Sequence, residues 1–348
     1  MSLRAAAIVA ASMALFIHPS AAWIERVYTN GAYARWEPVA HAITRLFPWS
    51  LGDLAALAGA ALIVWRIVVR AREGRSGRAW FAAGFAALDV LAIAALYAIW
   101  FEASWGWNYD RAPVETRVLY EPSRITPRAL EALRARAIAE MNALAPAAHA
   151  RAGERLELVA LRAAWLGVVR RSGDTWAPQV GQPKATLADP FMNATGTSGF
   201  INPLTLTVQL ASDLLWFERP FDLAHEWSHV AGFAREDEAN YLATLTCLRS
   251  PDPAVRYSGW MQLFFALPPL RQYRHSTFAP LVWSDFAAIR ARDARRINLS
   301  LARLSWHAYN AYLKSNRIVS GVASYDEVTR LMLAIPLDRS GLPVTART

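Results

Sequence analysis

Cysteine is almost absent. Cys247 stands alone in 348 residues, so no intrachain disulfide can form. That does not exclude an extracytoplasmic location. Lysine is nearly as scarce, with Lys184 and Lys314 the whole supply, so the formal net charge of +9 comes from arginine. Those arginines are scattered. They do not gather with aromatics into a stripe on one element, which argues against a nucleic-acid groove. Internal repeats and long low-complexity linkers are lacking too. What is abundant is apolar surface: 54% of residues are hydrophobic, high for a purely soluble chain. The length leaves room for a membrane part and one further domain.

Three apolar stretches precede Glu102, at about residues 5–22, 51–70 and 80–101. The second and third are each about 20 residues long, enough to cross a hydrocarbon core of about 30 Å as helices. The first follows Arg4 and ends in the small residues Ser20, Ala21 and Ala22. It fits a cleavable signal peptide or an uncleaved anchor helix, and the anchor is preferred. Arg66, Arg70, Arg72, Arg75 and Arg78 crowd in and beside the short second connection. The positive-inside rule puts that connection in the cytoplasm and the chain after Phe101 outside the inner membrane. The first connection, rich in Trp and Tyr, reads as a segment lying at an interface. Asp89 stands near the middle of the third stretch, where it either stays protonated, pairs with Arg66 or serves a function.

After Ser104 the pattern changes. "TPRALEALRARAIAEMNAL" has helical spacing and a Thr-Pro start. A further helix is expected over residues 154–171, and a strand within residues 200–210, where Leu204, Leu206 and Val208 alternate with polar residues. The expected architecture is mainly α: a three-helix membrane domain over residues 1–103, then an α+β domain with a small edge-strand sheet over residues 104–348.

"FDLAHEWSHVAGFAREDEANYLATLTC", residues 221–247, carries the chemistry. Asp222 is a fitting N-cap for a helix starting there. His225 and His229 are at i and i+4, so they share one helix face and can bind a single zinc ion. Glu226 then points to the side of the metal, where it can act as general base. Gly232 suits a helix end at positive φ. A second helix can begin near Arg235 and run to Ser250, where Pro251 stops it. Glu236 on its first turn is the preferred third ligand, with Glu238 the rival. Three protein ligands and an open fourth position are the catalytic zinc arrangement. Asn240, at i+4 from Glu236, can accept the second N–H of a ligand histidine. An oxyanion donor is also needed, and Tyr257, His307 and His275 are the candidates in that order.

"HEWSH" followed by "EDEAN" and "YLA" resembles the paired motifs of gluzincin metallopeptidases. In that resemblance Glu236 takes the place of the third zinc ligand and Asn240 that of the conserved Asn/Asp. More closely, the chain resembles a bacterial membrane family, domain of unknown function 3810, inferred to be zinc-dependent peptidases. "WGWNYDRAP", "GTSGFINPLT", "HEWSHVAGFAREDEAN", "RYSG" and "YLKSNRIVSGVASYDEV" carry that resemblance. It implies a zincin-like domain with a strand above the metal helix and an uncleaved first helix, and it gives no substrate; from the site itself, one Zn2+ per chain and a peptide or protein substrate are expected. Together with the bilayer these form the expected partners, with nucleic acid excluded and oligomeric state open. A zinc hydrolase of another amide or ester, or a non-catalytic receptor or assembly factor, remains the alternative.

Overall fold

The computed structural model describes residues 3–16, 19–74, 79–269, 273–316 and 327–346. Its first helix, α1 (Leu3–Phe16), has 14 residues, about 21 Å at 1.5 Å per residue and short of a bilayer core. A new helical run then starts: α2 (Ala21–Trp23), a π-helical segment (Ile24–Tyr33) and α3 (Ala34–Thr44). Ser20 caps it, its Oγ accepting from Trp23 N at 3.3 Å.

Only α4 (Leu51–Gly74) and α5 (Ala79–Ser104) contain stretches long and apolar enough to cross a membrane, Leu51–Arg72 and Trp80–Ser104. The expectation of three such helices is therefore corrected to two among the described residues. The physical reason lies at the end of the first stretch. Ser20 there is extended, with φ −61° and ψ 148°, and N-caps α2, so the stretch is not one continuous helix; beyond it Ile24, Tyr28 and Tyr33 bury themselves against Phe101, Trp105, Leu206 and Ala234. The segment after α1 is thus part of the later domain's core as well as a connection. Outside that contact the two long helices expose apolar side chains such as Leu57, Val64, Trp65 and Leu91. Asp89 is buried and pairs with Arg66 Nη2 at 2.8 Å, and also with Arg4 Nε at 2.7 Å and Arg70 Nε at 3.1 Å.

The remaining chain is mostly helical: α6 (Pro127–His149), α7 (Leu158–Arg171), α8 (Asp189–Thr195), α9 (Arg219–Val230), α10 (Glu236–Leu248), α11 (Pro253–Ala266), α12 (Pro280–Arg296), α13 (Leu299–Ser315) and α14 (Val328–Ala334). Thr126 caps α6 through its side chain, with Pro127 in the first turn, as the sequence pattern predicts. α7 begins at Leu158, later than predicted, after a turn that contains Gly153 at φ +94°.

The expected strand divides into a hairpin. β1 (Gly199–Asn202) pairs antiparallel with β2 (Thr207–Leu210), Gly199 facing Leu210 and Asn202 facing Thr207. Between them Pro203 has no N–H to donate, and Asn202 Oδ1 accepts from Leu204 N at 3.0 Å, a local bond that favours a turn. Lys184 N bonds Val208 O at 2.7 Å on the far side of β2. β1 therefore keeps an edge that no described strand covers.

α9 and α10 pack on each other, with α7 and α11 against α10 and the hairpin against α9. The core around them holds Trp165, Trp227, Phe233, Tyr241 and Leu245, all buried. A second apolar cluster, with Met141, Tyr257, Phe264 and Val282, joins α6, α11 and α12.

Candidate metal centre

Pro220 occupies the first turn of α9, where its missing N–H costs nothing. The helix thus starts at Arg219, three residues before the predicted cap. Asp222 lies inside it, and burial pushes its carboxyl up to about 7.

α9 ends in a glycine-dependent cap. Gly232 has φ +83°; its N–H bonds His229 O at 2.9 Å while Phe233 N–H bonds Ser228 O at 3.1 Å. These are the paired bonds of a Schellman motif, which needs a left-handed residue at Gly232. The turn brings Glu236, the first residue of α10, back over α9.

His225, His229 and Glu236 meet there, each buried, with one potential ligand atom of each within 4.8 Å of the others. His225 Nε2 and His229 Nε2 are 3.0 Å apart. Glu236 Oε2 lies 3.2 Å from the first and 3.6 Å from the second. The outward nitrogens are occupied. His225 Nδ1 lies 2.8 Å from Asn240 Oδ1, and His229 Nδ1 lies 2.7 Å from Phe233 O. Both partners only accept, so both Nδ1 atoms carry the proton and both Nε2 lone pairs face inward. Glu236 Oε1 accepts from the Tyr309 hydroxyl on α13, but Glu236 Oε2 is buried with no partner besides the two Nε2 atoms, and with both rings neutral it accepts no hydrogen bond. Two inward lone pairs and an unsatisfied carboxylate oxygen suit a cation, and this buried cluster can hold a metal ion.

Electrostatics point the same way. Burial disfavours charge on His229, but the Glu236 carboxylate outweighs it and lifts His229 to about 9. Burial likewise pushes Glu236 up, yet His229 and His225 hold it well below the usual carboxylate range. The cluster attracts positive charge strongly enough to draw a proton.

Glu226 lies beside the cluster. Burial pushes its carboxyl up to about 8, and Oε2 has no hydrogen-bond partner. β1 passes close over it: a Cβ on Gly199 would fall 2.8 Å from Glu226 Oε1. The four residues line a cavity of about 730 Å³, whose walls include β1 on one side and Trp306 and Tyr309 on the other.

Glu238 does not join them. Its Oε1 accepts from Val114 N at 2.8 Å, and it faces Arg117. Tyr257 does not join them either. Its hydroxyl donates to Asp285 inside the second apolar cluster, and it does not line the cavity. "RYSG" serves packing: Ser258 Oγ accepts from Phe221 N at 3.2 Å, and a Cβ on Gly259 would fall 2.5 Å from Cys247 Cβ. His307 is exposed and off the cavity, and the His275 side chain lies outside the described residues. So does most of "YLKSNRIVSGVASYDEV".

Sequence reasoning missed the residues that hold the end of α9. Trp105 Nε1 donates to His229 O at 2.9 Å, the Tyr33 hydroxyl to Val230 O at 2.6 Å, and Arg111 Nη1 to Ala231 O at 3.2 Å. Arg111 also stacks over Phe233, 4.5 Å from its ring centre, and pairs with Glu25 and Asp174. Two of these come from "WGWNYDRAP", whose role only the fold explains. Tyr309 carried no signal beyond being a tyrosine on an amphipathic helix.

Fold and site together define a mainly helical protein with, among the described residues, two helices long and apolar enough to cross a membrane and a buried His-His-Glu cluster able to hold a metal ion. A family model described as protein of unknown function (DUF3810) matches residues 28–333, and the chain belongs to that family. No curated protein and no solved structure matches it.

Proposed function

We propose that the protein is a membrane-anchored zinc metallopeptidase. The observation that carries this reading is the convergence of His225 Nε2, His229 Nε2 and Glu236 Oε2 beside the partnerless carboxyl of Glu226. Two imidazoles and one carboxylate are a donor set suited to zinc with a position left open. Bound there, one Zn2+ per chain would supply a Lewis acid that polarises a carbonyl and acidifies water.

The protein's own groups do the rest. Glu226 takes the proton of the attacking water and delivers it to the leaving nitrogen. The cover of Gly199 and β1 keeps that carboxyl dry and aimed. The uncovered edge of β1 is suited to pair with an extended substrate backbone. Tyr309, in place of Tyr257, is a phenol on the cavity wall, where its hydroxyl donates to Glu236 and supports the ligand. Arginines at residues 66–78 favour a cytoplasmic second connection, so the reaction would occur outside the inner membrane. A zinc hydrolase of another amide or ester shares every one of these groups.

The test is peptide-library cleavage by purified full-length protein, with zinc quantified. Glu226→Gln should keep its zinc and lose turnover. Cleavage undiminished in Glu226→Gln would refute the mechanism.

A further inference from the structure

Three walls of the cavity are tied to the outer ends of the two long helices. The hairpin tip is one: Trp100 Nε1 donates to Leu204 O at 3.2 Å and Ser104 Oγ to Pro203 O at 2.9 Å. The tip also touches the first turn of α4, where a Cβ on Gly52 would fall 1.9 Å from Asn202 Nδ2. The run into α8 is the second, with Leu187 N donating to Asp53 Oδ2 at 2.7 Å. α13 is the third: the Tyr312 ring lies 6.5 Å from that of Phe101. The metal cluster itself is as close. Trp105 is the first residue after the apolar span Trp80–Ser104, and its ring lies 6.4 Å from that of His229.

The rim is apolar where it meets solvent. Phe191 is 50% exposed and Trp306 49%, and Leu187, next to the lining residue Ala188, is 70% exposed. Exposed aromatics at the level where a span ends are the pattern of a membrane–water interface.

We infer that the cavity opens at the bilayer surface and takes a polypeptide segment emerging from the membrane, the juxtamembrane stretch of a transmembrane protein, in preference to a free soluble chain. The substrate class rests on the peptidase reading; the position of the cavity does not. An extended chain advances about 3.3 Å per residue. The 6.4 Å ring separation is about two extended residues, so the site reaches only the first few residues of an emerging segment.

The experiment uses the full chain in lipid vesicles and has two readouts. Single cysteines replace Phe191, Trp306 and, as a distant control, Val159, which is 82% exposed on α7. Each carries a fluorophore, and lipids brominated near the headgroup act as quencher. Labels at 191 and 306 should be quenched at least about threefold more than at 159; equal quenching overturns the inference. Next, one target sequence is placed 5 or 40 residues from a single span, or supplied as a free peptide. The proximal site should be cut at least tenfold faster. Equal rates overturn the substrate preference and leave the peptidase reading standing. Quenching at 191 and 306 with no cleavage of any substrate removes the peptidase reading and the substrate with it, while the position of the cavity stands.

Discussion

Replacing Asn240 by alanine separates the two histidines of the candidate metal cluster. His229 is oriented by a backbone carbonyl, Phe233 O at 2.7 Å, which no substitution removes. His225 is oriented by a side chain, Asn240 Oδ1 at 2.8 Å. In Asn240→Ala, His225 Nδ1 loses its acceptor, and the ring is free to change tautomer and rotate Nε2 off the cluster. Loss of such an outer partner typically weakens metal binding about 10- to 100-fold, which is about 1.4–2.7 kcal/mol. Folding should suffer less, because Asn240 is only half-buried and one such hydrogen bond contributes about 1 kcal/mol. Asn240→Asp keeps an acceptor and should be milder than alanine. The assay is zinc competition against a chromogenic chelator, with thermal unfolding in parallel. A zinc Kd for Asn240→Ala within twofold of wild type would sink the argument and reduce Asn240 to a packing residue.

Tyr309→Phe removes the phenol that donates to Glu236 Oε1. Zinc affinity should fall several-fold with the fold intact, and unchanged zinc affinity would count against Tyr309 as a support of the ligand. Burial raises Glu37 from 4.5 to about 8, against the Gln179 N–H and Arg162, which favour the charged form. Its folded pKa lies above the unfolded one, so its contribution is full below pH 4.5 and is lost as pH climbs through about 8. Glu37→Gln should flatten that part of the unfolding profile, by on the order of a few kcal/mol between pH 5 and 8; parallel wild-type and variant profiles would contradict the burial argument. Reporter fusions after Ser104 should be active only with an extracytoplasmic reporter, and fusions near Arg72 only with a cytoplasmic one. The reverse pattern would invert the orientation.

Much of the candidate metal site was legible in residues 221–247 because it is built from one helix, one turn and the next helix. Helical periodicity puts His225 and His229 on one face, and the same rule puts Asn240 beside Glu236. Where a side chain's partner lies far along the chain, the reading had less to work with. Tyr257 stands close to the motif in sequence, yet its hydroxyl turns to Asp285 on α12. Tyr309 is far from it and reaches Glu236. Arg111 lay inside a quoted motif with no role assigned, since its partners Glu25, Asp174 and Ala231 come from three separate segments. The first apolar stretch misled for a related reason. Hydropathy counts residues along the chain, and it does not register that Ser20 breaks the stretch and starts a new helix, whose continuation buries Ile24, Tyr28 and Tyr33 against Trp105 and Ala234.

By itself, then, the sequence determined the second and third apolar helices, the two histidines, the neighbouring glutamate and the glycine that ends their helix. These follow from local periodicity and backbone sterics. Tertiary structure alone decided that Glu236 and not Glu238 turns inward, which phenol enters the cavity, and that the cavity lies at the ends of the long helices. Each of these depends on side chains brought together from distant segments, and no local rule registers such a meeting.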